Sequence, residues 1–138
     1  MTALFGSSLA LGISNIPFDG PVAGVVVGKI GKDYIINPDT KQMEESELSV
    51  TVAGTKDAIC MVEARAKQVS EKDMLGALMF GHEYIKKLCA FQEKIIKEIG
   101  QEKVKVDLAT IDPELEAAVR EYATDEMFKC FDIKGKLA

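Results

Sequence analysis

The chain has 138 residues, 47% of them hydrophobic and 28% charged, with a net charge of −5. That length supports one domain or a domain with an appendage, and it hides about two-thirds of the unfolded surface. The acidic balance argues against a stand-alone binder of nucleic acid, which needs a basic face to neutralise phosphates.

In chain order, Ala3 to Ser14 reads as a helix with Leu4, Ser8 and Leu11 on one side and Phe5, Leu9 and Ile13 beside them. It is apolar nearly all round, which predicts burial. Asn15-Ile16-Pro17 ends it, because a residue before proline disfavours helix. Phe18-Asp19-Gly20-Pro21 follows as a turn. Val22 to Gly28 and Asp33 to Asn37 read as strands joined by a Gly31-Lys32 turn. Pro38 to Ser46 is polar and loop-like. Leu48 to Val52 alternates, Gly54 to Asp57 reads as a hairpin connection, and Ala58 to Glu63 is the return strand.

The clearest helix starts at Ser70, where Ser70 and Asp73 resemble a capping box. Met74, Leu75, Leu78, Ile85, Leu88, Cys89, Gln92, Ile95, Ile96 and Ile99 keep helical spacing up to Gly100, a C-cap candidate. A helix this long predicts a further packing partner at its far end. Gln101 to Ile111 reads as a connector. Asp112-Pro113-Glu114 then opens a fresh helix with an N-cap acid and proline at its first position. Leu115, Val119, Tyr122, Met127 and Phe131 give that helix an apolar side. Helix, four strands, long helix and separate helix make an α+β layout.

No complete catalytic set is visible. The single histidine, His82, precedes Glu83, but adjacent residues on a helix do not face each other. His82 is therefore expected to pack or to make one polar contact. Glu44, Glu45 and Glu47 lack the alternation of a calcium loop and read as a solvated run. Gly6-Ser7-Ser8 admits two readings, an anion nest or small residues that let a helix pack closely; the apolar setting favours packing. There is no Walker loop, GxGxxG or GxSxG. Cys60, Cys89 and Cys130 form no CxxC, and with one histidine they read as reduced cytoplasmic thiols, not a zinc centre. No apolar run reaches the ~18 residues that span a bilayer.

Several runs together resemble the polynucleotide phosphorylase family. They are Gly6-Ser7-Ser8-Leu9-Ala10-Leu11, Ile16-Pro17-Phe18-Asp19-Gly20-Pro21, Asn37-Pro38, Glu44-Glu45-Ser46-Glu47-Leu48, Val52-Ala53-Gly54-Thr55, Met61-Val62-Glu63-Ala64 and Leu78-Met79-Phe80-Gly81-His82-Glu83. They keep the family's order and spacing. The resemblance implies an internal segment: residues 1–100 as the second half of the first of two RNase PH-like domains, and 101–138 as the start of an all-helical linker domain. It implies a parent homotrimer in which phosphate attacks the 3′-terminal phosphodiester of single-stranded RNA and releases nucleoside diphosphates. Mg²⁺ or Mn²⁺ would assist there.

The family's chemistry lies in its other RNase PH-like domain, which has paired serines, two aspartates and a lysine. Carried over one at a time, the serines fall near Ser7 and Ser8. The aspartates fall on Met43 and Ser49, and the lysine on Thr51. The expectation is a structural copy with no catalytic residue, no metal ligand and no cofactor of its own. RNA-contacting residues are left unassigned, because the family's RNA-gripping loop lies upstream of Met1 and its KH and OB-fold domains downstream of Ala138. Neither DNA nor membrane is expected as a partner. Two other readings are a non-catalytic ring subunit of an exosome-like complex and an unrelated interaction module. In the favoured reading the strands should leave an apolar edge or face that the missing half of the domain would cover.

Overall fold

In chain order the elements are α1 (Thr2–Ile13), β1 (Ala23–Ile30), β2 (Asp33–Ile36), α2 (Thr40–Glu45), β3 (Leu48–Gly54), β4 (Ile59–Ala66), α3 (Glu71–Ile99) and α4 (Pro113–Cys130). The structure, a computed structural model, describes residues 1–135. It forms two units, Met1–Lys105 and Val106–Ala138.

In the first unit the strands pair antiparallel in the order β2-β1-β3-β4. This is the expected α+β arrangement, with helices against an antiparallel sheet. Alternation sends Val25, Val27, Leu48, Val50 and Val52 to one face, where all are buried. The long helix α3 lies across that face. Its buried stripe, Ala77, Gly81, Ile85 and Cys89, recurs every four residues, so one side of the helix meets the sheet. At Gly81 the approach is close: a Cβ there would come within 2.9 Å of Val27 Cγ2.

The far end of α3 finds its partner in α1. A Cβ at Gly12 would meet Ile96 Cγ1 at 2.9 Å, and the Phe5 and Phe91 rings stack at 6.3 Å. Only Ser8 and Gly12 of α1 are buried, which corrects the expectation of a helix buried all round. Its one buried side rests on α3 and β1, and its other apolar side chains stay half-buried or exposed. Past α3 the chain returns to the C-terminus of α1. The N–H groups of Gln101 and Val104 donate to the Ile13 and Asn15 carbonyls, each at 2.9 Å.

Other local expectations also need correcting. Pro38 to Ser46 is not a loop: Thr40–Glu45 is helical. Its N-cap Asp39 accepts from the Gln42 N–H while the Gln42 side chain accepts from the Asp39 N–H. At Ser70 the capping box is only half made. The Ser70 hydroxyl accepts from the Asp73 N–H at 3.1 Å and donates to the Asp73 carboxylate at 2.9 Å; that carboxylate also faces Lys29 Nζ at 3.6 Å and does not return to the Ser70 N–H. The return strand runs to Ala66, three residues beyond the expected Glu63. In the second unit Asp112 caps α4 through the Glu114 and Leu115 N–H groups, and Leu115, Val119, Tyr122, Met127 and Phe131 are all exposed.

Candidate functional site

The residues that the family resemblance singles out lie away from the α3 face. Ser49 and Thr51 stand two apart on β3, between the buried Leu48, Val50 and Val52, and therefore share the opposite face. Register places Arg65 beside Ser49 and Glu63 beside Thr51. A cavity of about 350 Å³ is lined by Met43, Ser46, Glu47, Ser49, Arg65 and Lys67, together with Leu48 and Ala66. The fold thus brings Met43 and Ser49 together. Thr51 does not line that cavity.

This surface offers a thioether, hydroxyls, one carboxylate and two cations. Hard divalent ions need several converging oxygens, most of them anionic. Among the described residues no group of three or more His, Cys, Asp or Glu is placed to hold a metal. The donor set does not fit such an ion. The anionic Glu47 is also engaged elsewhere. Its carboxylate takes Lys29 Nζ at 3.1 Å, and this contact, more than the nearby Asp73, holds the Lys29 ammonium above its ordinary pKa against the opposing effect of burial. Glu44 and Glu45 sit on α2, an element with no buried residue.

Ser46 fixes the wall of the cavity. Its buried hydroxyl accepts from the Lys29 N–H at 2.9 Å and directs its one proton between the backbone carbonyls of Lys29 and Leu48. Ser8 and Ser7 behave differently from each other. The Ser8 hydroxyl accepts from the Val22 N–H at 2.8 Å, while Gln92, fully buried on α3, donates its amide to the Val22 carbonyl at 3.0 Å. Val22 is held from both sides, and the Ser8 hydroxyl has a structural partner. Ser7 is exposed.

His82 makes the single polar contact expected of it. Its Nε2 lies 3.0 Å from the Thr55 carbonyl and donates to it, in the β3–β4 hairpin. Glu83 points elsewhere: Lys86 bonds it at 2.8 Å and lowers its pKa. Cys89 is buried, with its thiol directed at the Pro21 carbonyl, and burial pushes its pKa up. The residues missed by the sequence reading are Arg65 and Lys67. Both lie beyond the expected end of the return strand, so nothing in the local pattern set them beside Ser49.

Among the described residues no helix is long and apolar enough to cross a membrane. Residues 20–84 match domain 2 of the 3′ exoribonuclease family, a stretch that holds the whole sheet and the first half of α3. Over its entire length the chain is 55% identical to polyribonucleotide nucleotidyltransferase of Bacillus cytotoxicus and 52% identical to that of Bacillus subtilis (strain 168). The same enzyme of Bacillus cereus (strain ATCC 14579) is also 52% identical over all 138 residues. The chain spans about a fifth of the length of these curated relatives. Identity at this level along the whole chain leaves no room for an unrelated interaction module.

Proposed function

We propose, from the premise that this chain is a relative of the bacterial polyribonucleotide nucleotidyltransferases, that it serves as a framework segment of a phosphorolytic 3′-to-5′ exoribonuclease. Residues 1–100 would be the second half of the first RNase PH-like domain, and 101–138 the start of the helical linker. In the whole enzyme, phosphate would attack the 3′-terminal linkage of single-stranded RNA and release nucleoside diphosphates during mRNA degradation. Mg²⁺ or Mn²⁺ would stabilise charge on the transferring phosphate at the other RNase PH-like domain. The whole enzyme would be a cytoplasmic homotrimer. This segment would form part of the ring around the RNA, with no metal, DNA or membrane contact of its own.

The observation that carries the framework role is the surface around Ser49. Met43, Ser49 and Thr51 stand where the resemblance would put two aspartates and a lysine. Methionine does not ligate a hard cation, and a neutral hydroxyl poorly replaces a carboxylate. The hydroxyl of Ser8 is bonded to the Val22 N–H. What remains is a packed sheet that can hold shape, with neither a carboxylate nor a lysine at those three positions.

Two measurements test this. The isolated chain, given poly(A) and inorganic phosphate, is expected to release no ADP. Release that disappears on Ser7→Ala or Ser8→Ala would overturn the framework role. Second, replacing the matching stretch of the Bacillus subtilis enzyme with this chain should preserve phosphorolysis in a correctly assembled chimaera. A chimaera with native size and melting behaviour but no activity would count against the reading.

A further inference from the structure

The cavity over Ser49 is walled by residues of this chain, and its free charges have one sign. Ser49 and Arg65 are directly opposite across β3 and β4, so their side chains rise from the same face. Lys67 continues the ladder, its N–H donating to the Glu47 carbonyl at 2.9 Å, and alternation puts its side chain on the face of Arg65. Among the described residues neither Arg65 nor Lys67 makes an ion pair. The one carboxylate that lines the cavity, Glu47, is drawn to Lys29 Nζ at 3.1 Å. Lys29 alternates with Val25 and Val27 and so belongs to the α3 side of the sheet. Asp39 and Glu44 line a neighbouring hollow that shares only Met43 with this one. Glu63 stands beside Thr51 and does not line the cavity. In a chain of net charge −5, two cations are thus left together beside a half-buried hydroxyl.

We propose that this cavity binds a phosphate group, held by the Arg65 guanidinium, the Lys67 ammonium and the Ser49 hydroxyl. The guanidinium fork presents two parallel N–H donors to two oxygens of one phosphate, the lysine adds a point charge, and the hydroxyl donates to a third oxygen. A phosphate group supplies at least three acceptor oxygens, whereas a carboxylate has two and would leave one of the three donor groups idle. The Met43 thioether gives an apolar wall, and a less polar surround strengthens the attraction. The Ser46 hydrogen bonds to Lys29 hold the turn from α2 into β3, so the floor is formed before the ligand arrives. The phosphate is either the free ion or the terminal group of a nucleoside diphosphate. This site stands on its own geometry, apart from the phosphorolysis proposed for the other RNase PH-like domain.

Backbone amide NMR of the full chain, titrated with inorganic phosphate or with ADP at constant ionic strength, tests it. Saturable shifts are expected at Ser49, Arg65 and Lys67. Shifts with inorganic phosphate assign the free ion, and shifts with ADP alone assign the nucleotide's terminal phosphate. Arg65→Gln or Lys67→Gln should raise the dissociation constant about tenfold, the effect of one lost charge-assisted hydrogen bond. Arg65→Lys, which keeps the charge without the fork, should fall between. Arg120→Gln, on α4, removes the same charge elsewhere and should leave binding unchanged. Circular dichroism on each variant checks that it is folded. In the Bacillus subtilis chimaera, Arg65→Cys should be alkylated by iodoacetamide in the assembled enzyme, as an open cavity requires. No saturable shift with either probe, shifts matched by potassium chloride, a dissociation constant indifferent to R65Q or to K67Q, equal weakening by R120Q, or a chimaera in which R65C resists alkylation until denaturant is added would each overturn the proposal.

Discussion

His82 Nε2 sits 3.0 Å from the carbonyl oxygen of Thr55 and ties the middle of α3 to the hairpin between β3 and β4. The residue is 6% exposed, so the bond is partly shielded from water. Removing it leaves the Thr55 carbonyl without this donor and opens a gap beside the sheet. His82→Ala is expected to lose about 1–3 kcal/mol of stability. Urea denaturation checks this, with an unchanged m-value showing that the unfolded state is the same. A variant as stable as the wild type would remove the structural role assigned to the histidine.

Two glycines in helices should respond with opposite signs. Gly81→Ala gains about 1 kcal/mol of helix propensity, but its Cβ would meet Val27 Cγ2 at 2.9 Å and Val25 Cγ2 at 3.3 Å. Overpacking a filled core costs about 1–3 kcal/mol, so the net effect should be destabilising. Gly6→Ala has nothing within 4 Å of the new Cβ and should stabilise by up to about 1 kcal/mol. Thermal unfolding of both variants gives the comparison.

These glycines also mark where the sequence stops being legible. The strands β1 and β3 and the span of α3 follow from β-branched runs and helical spacing. The contacting side of α3 does not. Leu75 and Ile99 keep the apolar spacing yet are 60% and 62% exposed, whereas Ala77 and Gly81 touch the sheet because small residues let the helix approach. α2 is hidden for another reason: it buries nothing, so no apolar period announces it, and its signal was the Asp39–Gln42 capping box. The site suffers most. Ser49 is readable as a strand residue, but its neighbour Arg65 depends on a register that shifts at Ala53/Gly54, and no local pattern encodes that shift.

Cys89 gives a chemical prediction. Burial is the main cause that raises its pKa above the ordinary value near 9, Glu93 adds to the rise, and Lys56 opposes it. The neutral thiol is therefore the form favoured by folding. Its contribution to stability is complete below pH 9 and is lost as pH climbs through the raised value. Iodoacetamide at pH 8 should label Cys60 and Cys130, which are exposed, and leave Cys89 unlabelled until denaturant is added. Mass spectrometry of the digested protein reads all three sites, and rapid native labelling of Cys89 would contradict its burial.

Lys103 supplies the last prediction. Its ammonium donates to three carbonyls at the end of α1, those of Leu11 at 2.8 Å, Gly12 at 2.9 Å and Ser14 at 2.6 Å. The final carbonyls of a helix lack intrahelical partners and carry the negative end of its dipole, so a cation there acts both as donor and as opposite charge. The lysine also anchors the return segment, whose Gln101 and Val104 N–H groups bond to Ile13 and Asn15. Lys103→Met keeps the aliphatic stem and removes the charge. It should cost about 1–2 kcal/mol and speed amide exchange at Gln101 and Val104, with little change in the centre of α3. Lys103→Arg, which keeps charge and donors, should recover much of the protection. Hydrogen exchange resolved to these amides decides the matter: protection unchanged in the methionine variant would mean that the backbone bonds alone hold the segment against α1.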